Sequence, residues 1–146
     1  MDKLTLPEKE ERLLAPISEM DARFKNPLVL AFLGDTVYDL YIRSTIVKNT
    51  GACINTVHRS AVGQVNAHAQ AMAAEMLEPL FTEAEQDIYR RGRNAKSGVP
   101  KNMSVIDYRR ATGLEAVIGY LYLTGQYARL EELFERIING REERNE

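Results

Sequence analysis

The sequence predicts an all-α protein, and three observations carry the prediction. Apolar residues recur at helical spacing along the chain, while alternation with period two is scarce. Helix-start signals stand ahead of apolar stretches at Asn26-Pro27, at Thr82-Glu83-Ala84-Glu85 and, more weakly, at Ser104-x-x-Asp107. Glycines follow those stretches where a helix would stop, at Gly51, Gly125 and Gly140.

Asn26 caps the first long helix, and Pro27 fits its first turn, where a missing N–H is harmless. LVLAFLGDTVYDLYIRSTIVKNT then runs to Gly51. About 24 residues of helix span roughly 36 Å at ~1.5 Å per residue. Apolar on most of its circumference, it is expected to be the central helix. Asn55 or Thr56 caps the next stretch, VHRSAVGQVNAHAQAMAAEML, with Gly63 as a candidate bend and Pro79 as its end. The Thr82 capping box opens EAEQDIYRR, and RGRNAKSGVPKN has the composition of an exposed loop. Ser104 opens VIDYRRATGLEAVIGYLYLT, which stops at Gly125. A last amphipathic helix, YARLEELFERIIN, is expected to stop at Gly140.

A chain of 146 residues is expected to form one domain over 1–146 around one core. No apolar run reaches the roughly 18 residues of a membrane span. The first residues, MDKLTLPEKEERLL, lack the apolar core of a secretory signal. Cys53 is the single cysteine, so an internal disulfide is excluded, and it is expected to be a small buried residue. These features point to the cytoplasm.

The net charge of −2 hides a polarised distribution. Between Ile88 and Arg110 stand seven basic residues, Arg90, Arg91, Arg93, Lys96, Lys101, Arg109 and Arg110, against the single acid Asp107, a net of +6. Such a stretch suits a polyanion or a solvated loop.

Two acids stand inside apolar helices: Asp35 in LVLAFLGDTVYDLY and Glu115 in ATGLEAVIGYLYL. An unpaired buried carboxylate costs several kcal/mol unless it is paired or binds metal. Small residues flank both acids, Gly34 beside Asp35, and Gly113, Ala116 and Gly119 around Glu115. Glycine inside a helix costs about 1 kcal/mol and usually has a packing reason. A close helix crossing would then bring the carboxylates together, and a cation bound by oxygen, Mg²⁺ or Mn²⁺, would relieve their repulsion. The alternative is an ion pair across helices with Arg43, Arg59, Arg109 or Arg110. Asp39, one turn after Asp35, reads as a solvated position. His58 and His68 lack zinc-ligand spacing, and no nucleophile elbow or P-loop appears.

At Asp35 the sequence resembles a known family. Ala31-Phe32-Leu33-Gly34-Asp35 with Val37-Tyr38-Asp39-Leu40 resembles the signature helix of ribonuclease III, and Leu114-Glu115-Ala116-Val117-Ile118-Gly119-Tyr120-Leu121-Tyr122-Leu123 resembles its second acidic helix. His58-Arg59 and Ala67-His68-Ala69-Gln70-Ala71 resemble the family's middle helices. Arg91-Gly92-Arg93-Asn94-Ala95-Lys96 resembles the basic loop of the Mini-RNase III branch, the catalytic domain without a double-stranded RNA-binding domain. The match is strongest over residues 26–133. Two positions depart from the four-carboxylate pattern of ribonuclease III, which has a Glu where Ala31 stands and an Asp where Thr112 stands. Asp35 and Glu115 alone carry over as metal ligands, and the Mini-RNase III branch shares these variants.

The resemblance implies a ribonuclease III endonuclease-domain-like helical fold in a homodimer. It implies an endoribonuclease that cuts double-stranded RNA by hydrolysis with a divalent metal, Mg²⁺ or in its place Mn²⁺. Asp35 and Glu115 would be catalytic and metal-binding, and Arg91, Arg93, Asn94, Lys96 and Lys101 would bind RNA. The implied substrate is the precursor of large-subunit (23S) ribosomal RNA. The thinned acid set leaves a rival, a catalytically inactive RNA-binding dimer of the same fold. A helical dimer without RNA is a further one, in which Arg91 to Lys101 would be dispensable.

Overall fold

A computed structural model describes residues 14–49, 51, 53–55, 59 and 66–145, with side chains as far as residue 141. Ser18 opens a short helix α1 (Glu19–Arg23), its hydroxyl accepting from the Asp21 N–H at 3.1 Å. The sequence reading passed over α1, although Ser18-x-x-Asp21 repeats the pattern of Ser104-x-x-Asp107. Helix α2 (Pro27–Asn49) starts as expected, with Asn26 Oδ1 accepting from the Leu28 N–H at 2.8 Å. Ile54 and Asn55 are already helical, so Asn55 lies inside that stretch instead of capping it. Thr56, His58 and Gly63 fall outside the described residues. Helix α3 (Ala67–Leu77) has its own cap, Asn66, whose side chain accepts from the Ala69 N–H at 2.9 Å. A 3₁₀ turn (Glu78–Leu80) holding Pro79 ends it.

The capping box forms in both directions at the start of helix α4 (Glu83–Asn94). Helix α4 runs past Arg90, so RGRN belongs to the helix and the loop begins at Ala95. Tertiary packing extends it: Gly92 is buried, and a Cβ there would stand 3.0 Å from Gly113 Cα and 3.1 Å from Ala116 Cβ. Helix α5 (Val105–Leu123) begins at Ser104, which accepts from the Asp107 N–H. It ends in a left-handed Gly125 (φ 73°), with Gln126 N–H on Leu121 O and Gly125 N–H on Tyr122 O. Helix α6 (Tyr127–Asn145) follows and passes through Gly140 without stopping. Gly140 is a packing position, where a Cβ would run into the Met76 thioether of α3.

The central helix is α5, not α2. Nearly every residue from Ala111 to Leu121 is buried, and α2, α3, α4 and α6 all pack on α5. Helix α2 keeps a bare side: Val29, Phe32, Leu40 and Val47 are each more than half exposed. A helix apolar all round shows that every side can be covered but does not say by which neighbour. Cys53, expected inside, is exposed on the segment after α2. No described helix is long and apolar enough to cross a membrane.

Helices α2 and α5 run antiparallel and meet at two glycines. A Cβ on Gly34 would collide with the carbonyl of Glu115, and one on Gly119 with the carbonyl of Leu30. Backbone cannot swing aside as a thioether can. Gly34→Ala or Gly119→Ala is therefore expected to destabilise by about 1–3 kcal/mol or more through overpacking. Gly140→Ala, facing Met76 and gaining up to about 1 kcal/mol of helix propensity, should be near neutral. Urea midpoints at constant m-value read the difference; equal midpoints for all three variants would contradict the crossing.

Candidate active site

The glycine crossing sets the position of both acids. Asp35 directly follows Gly34 and lies exposed on the flank of α2, between its buried and bare sides. Glu115 stands one turn before Gly119 on α5 and is half-buried. The two carboxyl groups lie within hydrogen-bonding reach of each other. Burial, and then the hydrogen bond and the charge of Asp35, push Glu115 up to about 9. At neutral pH the pair therefore holds a proton that a divalent cation could replace.

The donors fit such a cation. Both are carboxylate oxygens, and Mg²⁺ commonly takes one or two carboxylates while keeping several waters. Asp35 is exposed, on the side from which such waters would come. A third side-chain ligand does not join them, because among the described residues no three His, Cys, Asp or Glu side chains cluster at metal-binding spacing. Ala31 offers no donor, and the Thr112 hydroxyl donates to Tyr108 O of its own helix at 2.9 Å. The ion-pair alternative fails at the candidates on view. Arg43 pairs with Asp39 at 2.8 Å and Arg110 with Glu75 at 3.6 Å, and neither Asp35 nor Glu115 has a cationic partner among the described residues. Asp39 is thus a surface pair, in keeping with its reading as solvated. His68, exposed, sits 3.0 Å from Asp107.

Tyr38, one turn after Asp35, had been read only as part of a motif. It is fully enclosed, and its hydroxyl has no hydrogen-bond partner among the described residues. Burial pushes it up to about 12 against the opposing influence of Arg141, with Glu115 adding to the rise. It stays neutral and packs against Phe134.

The basic residues divide. Arg93 lies over the Tyr89 ring, 5.6 Å from its centroid, with Glu78 at 3.9 Å. Arg91 is half-buried and donates to main-chain carbonyls of the α1–α2 turn. Asn94, the last residue of α4, and Lys96 and Lys101 in the following loop are exposed. Arg91, Asn94 and Lys96 line one groove, joined by Arg90 and by Lys25, which the sequence reading did not single out. The signal for Lys25 was its place beside the Asn26-Pro27 cap, where the chain must turn at the surface.

The chain is similar to known proteins in sequence and in fold. The Ribonuclease III domain family matches residues 28–126. A Mini-ribonuclease 3 of Clostridium tetani is 44% identical over 128 residues, 86% of this chain and 85% of the relative. One from Thermoanaerobacter is 48% identical over 119 residues, 81% of this chain and 84% of the relative. One from Enterococcus faecalis is 45% identical, covering 86% of this chain and 98% of its own length. A crystal structure of a Fusobacterium nucleatum protein superposes with a TM-score of 0.75 at 31% identity, over 83% of this chain and 98% of that one.

The raised Glu115 has a consequence for stability. Between pH 4.5 and about 9 the folded chain keeps a proton that the unfolded chain has lost, so stability falls as pH rises through this window. Glu115→Gln removes that slope. In EDTA, the melting temperature of the variant is expected to gain on the parent steadily from pH 5 to pH 8. Mg²⁺ at pH 8 should raise the parent's melting temperature and leave the variant's almost unchanged. Parallel pH profiles for the two proteins would refute a proton shared with Asp35.

Proposed function

The chain belongs to the ribonuclease III family, in its Mini-ribonuclease 3 branch, and we propose that it is a double-strand-specific endoribonuclease using Mg²⁺. The observation that carries this reading is the meeting of Asp35 and Glu115 across the Gly34–Gly119 crossing, where burial and the neighbouring Asp35 raise Glu115. Mn²⁺ could substitute, since both ions take oxygen donors. Such a cation would supply activation of the attacking water and neutralisation of charge on the phosphate. The chain's part is positional. Glu115, once deprotonated, would hold the cation from the half-buried side and Asp35 from the exposed side, with the backbone crossing fixing their spacing.

An A-form duplex is held through its shape, 2′-hydroxyls and phosphates. Asn94, Lys96 and Lys101, exposed at the end of α4 and in the loop, can reach a backbone directly. Arg93 can contribute its charge from beside Tyr89. The expected substrate is the precursor of large-subunit ribosomal RNA, in the cytoplasm, and residues 1–146 are read as one catalytic domain. The bare side of α2 supports a homodimer. Val29, Phe32, Leu40 and Val47 share one side of the helix at 3.6 residues per turn, and Phe32 is 83% exposed. A two-fold pairing through α2 would cover that side and set two Asp35 sites at a fixed spacing.

The rival of a binding dimer without catalysis draws support from Ala31 and from the self-bonded Thr112. A labelled RNA duplex incubated with Mg²⁺, and separately with EDTA, decides between them. Cleavage with Mg²⁺ alone is expected. Asp35→Asn should lose several kcal/mol of transition-state stabilisation, about a hundredfold or more in rate, with duplex binding retained. Full Mg²⁺-dependent cleavage by the folded variant would sink the assignment. Sedimentation equilibrium tests assembly: the parent is expected at twice 16.6 kDa and Phe32→Glu at 16.6 kDa. A monomeric, active parent would contradict the dimer.

A further inference from the structure

A second basic feature lies where the α1–α2 turn meets the last turn of α4. Arg91 joins the two: Nη1 donates to Arg23 O at 2.9 Å and Nη2 to Lys25 O at 3.2 Å. Arg23 O is the last carbonyl of α1, where a cation is favoured by the unsatisfied C=O groups, and Lys25 O lies in the turn beyond it. With Asp87 also 3.6 Å away, the Arg91 guanidinium is committed to protein.

Its neighbours are differently placed. Lys25, Arg90 and Lys96 are exposed around an open, shallow groove whose lining contains no acidic residue. Lys25 and Lys96 have no ion-pair partner among the described residues. Arg90 is 63% exposed and among the described residues pairs only with Asp87, at 2.9 Å. Asp87 is itself shared with Arg23 at 3.5 Å and Arg91, so one carboxylate faces three guanidinium groups and much positive charge remains. A surface pair this exposed is weak and easily exchanged for a phosphate. Leu28, in the floor, lies seven residues before Asp35 on α2, about 10 Å along the axis.

Building on the duplex-RNA reading above, we infer that this groove seats the RNA sugar-phosphate backbone, with Lys25, Arg90 and Lys96 meeting phosphates and Arg91 acting as the positioning residue that holds Lys25 in place. A strand seated here follows α2 toward the carboxylates. The contact surface is then a cleft between two rigid helix ends and not the 95–101 loop alone.

The test uses the full chain carrying Asp35→Asn, with duplex RNA affinity measured at several salt concentrations. Lys25→Ala and Arg90→Ala are each expected to weaken binding several-fold and to flatten the plot of log affinity against log salt by about 0.7–0.9. Lys48→Ala, at the opposite end of α2, should change neither. Arg91→Ala should speed amide exchange in residues 23–28, which Lys25→Ala should not. Adding Lys25→Ala to Arg91→Ala should cost no further affinity, because the lysine is already misplaced. Unchanged slopes for Lys25→Ala and Arg90→Ala, in a parent that binds duplex RNA, overturn the groove and leave the ribonuclease reading standing. A parent that neither binds nor cuts duplex RNA overturns both. Full additivity of Arg91→Ala and Lys25→Ala overturns the positioning role.

Discussion

Everything at the centre of this molecule depends on the contact between two helix backbones, α2 and α5, at Gly34 and Gly119. Interiors are packed as densely as organic crystals, so a crossing without side chains between the helices has little freedom to slide or widen. The acids are attached at that contact. Their separation is governed by main-chain atoms and is insulated from volume changes in the surrounding core. The arrangement works against folding, because two like charges in partial burial repel and one must keep a proton. Paired acids placed at a cost to folding are a common mark of a functional site.

Most of the helix starts were legible because each has a local chemical cause. Asn26, Thr82 and Ser104 all accept the N–H that their spacing implied. The ends were less legible, because tertiary contacts decide them. Gly125 stops α5 with a left-handed turn, whereas Gly140 sits mid-helix against Met76. The two glycines look alike in sequence and differ only in their neighbours. RGRN reads as loop by composition, yet Gly92 needs helix to reach Gly113. The meeting of Asp35 and Glu115 could be anticipated from their small flanking residues. The exposure of Asp35 could not, since an apolar helix does not reveal which of its sides its own chain leaves bare.

The basic stretch shows a further limit of reading charge along a sequence. Arg91, Arg93 and Arg110 all have protein partners, so the run of seven overstates the cations available to a ligand. Lys25 lies far outside that run and joins it only in space. Charge available to a polyanion depends on which guanidinium groups the fold has already occupied.

The capping box of α4 does more than start a helix. Glu85 is 2% exposed, and besides holding the Thr82 N–H it receives Nε and Nη2 of Arg129 on its two oxygens at 3.0 and 2.8 Å. Arg129 also donates to Leu80 O and to Glu132. A helix held by one bond can turn about its axis, but one held by a two-pronged fork cannot. Together with the packing of Gly92 on Gly113, the fork fixes the rotational phase of α4. A start displaced by one residue would turn its far end by about 100° and carry Arg90 and Asn94 away from Lys25. The azimuth of the basic groove is thus set from both ends of α4, by the packing of Gly92 on α5 and by an ion pair to the C-terminal helix.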